Sequence, residues 1–386
     1  MAGRMTWRFA ALLAALCLLA AGVAACGSSS DDSGGGGSTS SSGSTSSSSS
    51  GGDDAAAEAA RLVEPFKTRP TRIEVSEPIT RPIPEGKKID FLTCSSPGCA
   101  RIADYFEQAV EKLGWSAKVI EVDATADAIN RAYDTAIRDK PDGLVVVAVS
   151  SQVARNKLAE IERMRIPVVT VQDPDVPFGP IIASIYTHDS SLRVGRAHAD
   201  DLIAAGCGDG TTVYIDVGGF IVLEYMRRGF EEEVKRLAPD MKIKRVDIAA
   251  TKEGNAQDAV IGAIRSSPDT KCVFGASDPL ITGLPQAVRS AGVSRPLQYF
   301  SDFGGDTTLQ YINDGIATST NQGDPSSWAY LLTDTLARHF AGQSVQPDQD
   351  ALQNIWIVDK DNALDRIPES NVEDMVQQYE RLWGKG

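Results

Sequence analysis

The chain has 386 residues, with 52 Asp and Glu against 38 Lys and Arg and a formal net charge of −14. That balance excludes nucleic acid and an anionic membrane surface as partners, since both demand basic patches, and its simplest meaning is an acidic, soluble surface. Once the N-terminal segments are set aside, about 300 residues remain, enough for two domains.

In chain order, Arg4 and Arg8 precede an apolar run, Phe9 to Ala21, that ends in Val23-Ala24-Ala25-Cys26. This is the layout of an export signal with a small-residue cleavage site. The segment resembles the bacterial lipoprotein signal. That resemblance implies removal of residues 1–25, a lipid on Cys26 as the mature N-terminus, and a chain anchored to the outer face of the cell membrane. An uncleaved membrane-spanning anchor is the rival reading, because about 20 apolar residues cross a bilayer. The run is short and Ala-rich, and it ends on a cysteine followed by Gly27-Ser28-Ser29. Beyond Cys26, Ser, Gly, Thr and Asp dominate; such composition cannot bury enough apolar surface to offset ordering entropy, so 26–60 is expected to be a flexible tether. Charge and proline (Pro65, Pro70, Pro78, Pro82, Pro84) then predict an extended lead-in over 61–86.

With Cys17 in the leader and Cys26 assigned to lipid, Cys94, Cys99, Cys207 and Cys272 remain. An even count outside the cytoplasm makes disulfides the expectation. Cys94 and Cys99 bracket Ser-Ser-Pro-Gly, a turn that suits a short loop, so Cys94–Cys99 and Cys207–Cys272 is the preferred pairing. Zinc competes poorly: the spacing is not Cys-x2-Cys, and His188, His198 and His339 are scattered. No metal and no cofactor are expected.

Strands are predicted at 89–94, 117–122, 143–149 and 167–171, each a run of Val, Ile or Leu as sheets buried on both faces require. Helices fill the gaps, with Ile102, Phe106, Val110 and Leu113 at helical spacing in the first and Ile129, Tyr133, Ala136 and Ile137 in the second. After Gly206 the series repeats. Strands are predicted at 212–217, 243–249, 272–276 and 297–301, with helices near 221–237, 254–265, 279–291 and 305–313. The fold class is therefore α/β, two similar doubly wound parallel-sheet lobes joined by a hinge, with lobes at 87–190 and 191–320 and crossover segments and C-terminal helices at 321–386. The glycines of Gly206-Cys207-Gly208-Asp209-Gly210 precede a strand rather than follow one, so they read as a turn and helix C-cap, not as a dinucleotide fingerprint. Met375, Val376, Tyr379, Leu382 and Trp383 predict a terminal amphipathic helix packed back on a lobe.

Over roughly residues 87–360 the chain resembles a type I periplasmic binding protein of the ribose-binding family. The likeness is carried by PGCARIADYFEQAVEKLGW, IPVVTVQD, THDSSLRVGRAHADDL, YMRRGFEEEV, KCVFGASD, YFSDFGGD and INDGIATSTNQ, through their order and spacing. It implies a monomeric solute receptor that closes two lobes on a small molecule and presents it to the membrane permease of an ATP-binding cassette importer. The family also supplies the core of lactose-repressor-type regulators, but an export leader stands here in place of a helix-turn-helix.

In open α/β sheets ligands bind outside the carboxyl ends of the strands, so two facing lobes make one cleft. The site candidates are Ser95, Ser96, Ser150, Gln172 and Asp173 in the first lobe and Phe220, Glu224, Ser277, Asp302 and Gln322 in the second or on its returning segment. Each has a plainer role available, since Ser, Asp and Asn at strand-to-helix turns commonly cap helices; Asp278, before Pro279, and Asp189 read as caps. Two positions depart from the sugar-binding pattern. Pro97-Gly98-Cys99 stands where sugar-binding members often carry aromatics, and Glu224 stands six residues before Phe230, where they often carry arginine. Glu224 either accepts from ligand hydroxyls or an amine, or pairs with Arg227 or Arg228 on its own helix. Of the rings Phe220, Trp115 and Trp328, Phe220 is the expected platform. No HExxH, nucleophile elbow or histidine triad is present, so the chain is not expected to be an enzyme. The leading expectation is capture of a sugar or polyol for import. A sensory receptor for a membrane signalling protein, or a receptor for an amine-bearing or aromatic solute, are the alternatives.

Overall fold

The computed structural model describes residues 50–386 apart from 124, 174–175, 219 and 250–255. The leader, Cys26 and most of the tether lie outside the described residues. The first described element, helix α1 (Ser50–Lys67), corrects the expectation of a tether to residue 60 and an extended chain from 61. Low complexity ends at Gly52. Ala, Glu, Arg and Leu then dominate as strong helix formers, and Asp53 sits in the first turn where a carboxylate meets the helix dipole. Ala59 and Val63 are buried in the core of the second lobe, so tertiary packing holds this helix as well as propensity. The extended lead-in is residues 68–87.

The first lobe alternates β1 (Lys88–Cys94), α2 (Pro97–Lys112), β2 (Ser116–Val122), α3 (Ala126–Asp139), β3 (Gly143–Val147), α4 (Arg155–Arg163), β4 (Val168–Val171) and β5 (Ile181–Ile185). Its five-stranded sheet has the order β2-β1-β3-β4-β5 and is parallel throughout. The strands β1 and β3 send side chains alternately into two cores: Phe91 and Val145 to one face, Leu92, Leu144 and Val146 to the other. That is why the sequence reads as continuous apolar runs. Strand β2 is an edge, with Ser116, Lys118 and Glu121 exposed and only Val122 fully buried, so expecting burial on both faces was too general.

The chain enters the second lobe with α5 (His188–Leu202) and a tight π turn (Ile203–Cys207), then β6 (Thr211–Gly218), α6 (Ile221–Leu237), β7 (Lys242–Ala249), α7 (Gln257–Ser266), β8 (Thr270–Gly275), α8 (Asp278–Ile281), α9 (Leu284–Ser290), β9 (Gln298–Asp302), α10 (Asp306–Asn313) and β10 (Ser319–Asn321). It returns to the first lobe for α11 (Pro325–Phe340) and α12 (Gln346–Gln349), gives β11 (Ile357–Asp359) to the second sheet, and ends with α13 (Met375–Leu382), which packs on α11. The second sheet is six-stranded, β11-β10-β9-β8-β6-β7, parallel except for β11. Helices α5 and α6 cross without side chains between them: a Cβ on Gly195 would lie 1.8 Å from the Met226 carbonyl oxygen, and one on Gly229 would lie 2.2 Å from that of Leu192. Gly206, at φ +91°, makes the turn that ends α5, a conformation glycine adopts without penalty.

Both expected disulfides are present. Cys94–Cys99 closes a short loop, and Cys207–Cys272 ties the π turn to β8 across 65 residues inside the second lobe's core.

The lobes are joined by the lead-in, by Tyr186-Thr187, by 322–324, and by the stretches flanking β11. These meet at a polar knot. The Asp324 carboxylate caps α11 by accepting from the Ser327 N–H at 3.0 Å and the Ser326 hydroxyl at 2.6 Å, and its other oxygen accepts from the Ser370 hydroxyl and the Asn371 N–H at 2.8 and 2.9 Å. Glu74, on the lead-in, accepts from the Ser327 hydroxyl at 2.9–3.0 Å and from the Asn354 N–H at 3.5 Å. Gln322 is buried here, its amide nitrogen donating to the Gly304 and Gly323 carbonyls at 3.0 and 3.3 Å.

Candidate functional site

Parallel strands deliver their carboxyl ends to one edge of each lobe, and these edges face each other. The backbone there is strained. Ala148, Gln172, Tyr186 and Phe303 directly follow, or lie one residue beyond, the ends of β3, β4, β5 and β9, and all have positive φ, between +52° and +64°. Such conformations cost about 1–3 kcal/mol each and persist where surrounding structure enforces them, characteristically at binding sites. Between the edges lies a cavity of about 310 Å³ lined by both lobes.

Of the expected ligand residues, Ser96, Gln172, Phe220, Ser277 and Asp302 line this cavity. Ser96 is both wall and cap: its hydroxyl accepts from the Cys99 N–H at 3.3 Å at the start of α2. Asp302, at the end of β9, is held through one oxygen, Oδ1, which lies 3.1 Å from His198 Nε2 and accepts from Asn321 Nδ2 at 2.8 Å. His198 is buried on α5, its ring centroid 4.7 Å from that of Phe274. With Oδ1 occupied and the aspartate fixed, Oδ2 is the oxygen available to a ligand hydroxyl or amine.

The other five stand elsewhere. Ser95 is exposed beside the cavity wall, and Ser150 is half-buried outside it. Asp173 accepts from the Ser151 N–H, tying down the turn after β3. Glu224 is exposed on α6, whose cavity-facing residues are Val222, Leu223 and Met226. Its helix mates Arg227 and Arg228 pair with Asp216 and Glu231 and with Glu232 respectively, so the expected pairing with Glu224 is not the one formed. Gln322 belongs to the hinge knot. Asp278 is a cap, though of a different helix than expected: it accepts from the Gly305 N–H at 2.9 Å and from the Thr308 hydroxyl at the start of α10.

Sequence reasoning missed Phe303 and Arg101 and set Trp328 aside in favour of Phe220, yet all three line the cavity. Phe303 lies one residue past the candidate Asp302. Its ring packs so tightly on Gly323 that a Cβ there would come within 2.4 Å. Phe303 meets Trp328 edge-on at 5.5 Å, and Trp328 in turn meets Tyr186 at 5.7 Å. Phe303 and Trp328 line the cavity with Tyr186 packed behind them, while Trp115 is core, its indole donating to the Pro84 carbonyl at 2.7 Å. Arg101, on α2, also lines the cavity.

Two doubly wound lobes that turn their strand ends toward a shared, hinged cleft define a solute receptor. Comparison with known proteins agrees: residues 93–344 match the periplasmic binding protein domain, and the chain belongs to that family. As a periplasmic binding protein the chain is a receptor rather than an enzyme and works outside the cytoplasm. The chain is 26% identical over 208 residues to the ABC transporter periplasmic-binding protein YphF of Escherichia coli strain K12, a match covering 51% of this chain and 61% of that protein's length. An ABC sugar transporter subunit from Rhodobacter sphaeroides 2.4.1 superposes with a TM-score of 0.61 at 21% identity, over 72% of this chain and 99% of that one. A solute-binding protein of an ABC transporter from Agrobacterium vitis, solved with bound allitol, gives a TM-score of 0.61 at 19% identity, over 72% and 97%. At these identities the likeness is one of fold.

Proposed function

We propose that this chain is a lipid-anchored receptor that captures a small hydroxylated solute, a sugar or polyol, by closing its two lobes and delivers it to the permease of an ATP-binding cassette importer. The observation that carries the reading is Asp302, fixed by His198 and Asn321 at a strand end in an aromatic-walled cleft. A carboxylate so held accepts hydrogen bonds from hydroxyls without paying to reorganise, while Phe220 offers a ring to the apolar face of a sugar. Allitol in one structural relative and the sugar-transporter description of another point to the same ligand class.

A thermal-shift panel of pentoses, hexoses and their polyols on the mature chain tests this. A ligand at 100 times its Kd adds about 2.7 kcal/mol of stability. Asp302→Ala is expected to abolish the shift given by the best panel member, since an orphaned buried partner costs about 1–3 kcal/mol. No response to any sugar or polyol sinks the carbohydrate reading.

The anchor is a separate function of a separate segment. Replacing Cys26 with Ser is expected to release the protein into the medium with its solute affinity unchanged, measured by fractionating cells and titrating the released protein. Retention of the variant on the membrane would contradict lipidation at this cysteine.

A further inference from the structure

The two disulfides differ in where they lie. Cys207 and Cys272 are fully buried in the second lobe's core, whereas Cys94 and Cys99 both line the ligand cavity. Cys94 ends β1, Cys99 stands in the first turn of α2, and the bridge pins the turn between them. That turn and the helix start supply a continuous section of wall: Cys94, Ser96, Gly98, Cys99, Arg101 and Ile102. The bridge is coupled to the wall's polar group as well, with Cys94 Sγ 3.1 Å from the Ser96 hydroxyl and the Cys99 N–H donating to that same hydroxyl. Gly98 approaches Phe303 of the other lobe, where an added Cβ would lie 3.8 Å from the ring. A loop closed over a separation of five residues constrains the unfolded chain far less than one closed over 65. The short bridge therefore does most for local order and the long one for global stability.

We propose that the Cys94–Cys99 disulfide is a positioning element of the solute site and that its reduction in the folded protein by a dithiol lowers solute affinity. This rests on the receptor reading above. One thiolate of the dithiol attacks a bridge sulfur, the S–S bond breaks and a mixed disulfide forms; the second thiol then displaces the protein sulfur. Two electrons and two protons pass to Cys94 and Cys99, and the dithiol leaves as its own disulfide. With the bridge open, the Ser95–Gly98 turn gains freedom that binding must remove again, and the wall opposite Phe303 loses its fixed shape.

The test uses the mature chain, dithiothreitol without denaturant, and the panel sugar or polyol giving the largest thermal shift. Alkylation and peptide mapping are expected to label Cys94 and Cys99 while Cys207–Cys272 stays oxidised. Calorimetric titration is expected to show affinity weakened at least about ten-fold, as loss of preorganisation predicts, with the same loss in the Cys94→Ser/Cys99→Ser variant and recovery when the reduced wild-type chain is reoxidised. Reoxidation keeps the test decisive if the variant folds poorly. Equal affinity of oxidised and reduced chains, or failure of the bridge to reduce in the folded state, overturns the inference and leaves the receptor reading intact. An oxidised chain that binds no panel member overturns the reading, and the inference with it.

Discussion

Arg338→Met is expected to destabilise the folded chain by about 3–5 kcal/mol, the cost of leaving a buried charge cluster without its partner. Arg338 lies on α11 and is 1% exposed, and the carboxylates of Asp334 and Asp348 beside it are wholly buried. Its Nε donates to Asp334 at 2.6 Å and to Asp348 at 3.2 Å, and Nη2 donates to the Glu77 carbonyl on the lead-in. Asp334 also accepts from the Trp383 indole at 2.6 Å. One guanidinium thus clamps α11, α12, the lead-in and the C-terminal turn together. Burial, reinforced by Asp334, pushes the Asp348 carboxyl well above its ordinary range, and burial raises the Asp334 carboxyl too, against the pull of the Arg338 guanidinium beside it. Removing the arginine leaves two buried carboxyl groups without the cation and the N–H donors that match them. The triple variant Arg338→Met/Asp334→Asn/Asp348→Asn is expected to regain most of the loss, because it removes the charges together with their partner. Guanidinium unfolding of the three proteins decides the matter. A triple variant no more stable than the single one would show that packing, not charge, sets the cost.

The lobes were legible because their central strands are buried on both faces, so Leu144-Val145-Val146-Val147 announces a strand without any pairing partner in view. The same logic fails for β10, Ser319-Thr320-Asn321, which has no apolar signature and is a strand because it lies in register with Phe300, Ser301 and Asp302. Positions at strand ends placed Ser96, Gln172, Phe220, Ser277 and Asp302 on the cavity wall, since parallel topology brings those ends to one edge. What chain order cannot convey is side-chain direction and long-range partnership. Glu224 and Met226 are two residues apart on α6, yet only Met226 faces the cavity. His198, one of three scattered histidines, proves to be a support of Asp302 across 104 residues. The Arg338 cluster, spread over four segments, is likewise a product of packing.

Glu74 gives the fold a pH dependence centred on the hinge. Desolvation, and after it the charge of Asp324, raise its carboxyl from an ordinary 4.5 to about 7. In the unfolded chain Glu74 ionises near its ordinary value. Between those limits the folded state therefore holds a proton that the unfolded state has released, and stability falls as pH rises. The contribution is fully present below the unfolded value and lost as pH passes through about 7. At roughly 1.4 kcal/mol per pKa unit, it amounts to about 3 kcal/mol at most. Glu74→Gln keeps a side chain that suits the Ser327 hydroxyl and the Asn354 N–H but cannot ionise, so the variant is expected to be the more stable protein at pH 8 and to match the parent near pH 4.5. Asp90 and Asp200, raised to about 6 and about 8 mainly by burial, act in the same direction in both proteins. The difference between the two stability curves therefore isolates Glu74, and parallel curves would show that its ionisation is not coupled to folding. Because Glu74, on the lead-in, bonds Ser327 at the start of α11 and Asn354 just before β11, its ionisation above pH 7 places a second negative charge beside Asp324 where the segments between the lobes converge. Solute affinity measured at pH 6 and pH 8 is then expected to differ more in the parent than in Glu74→Gln.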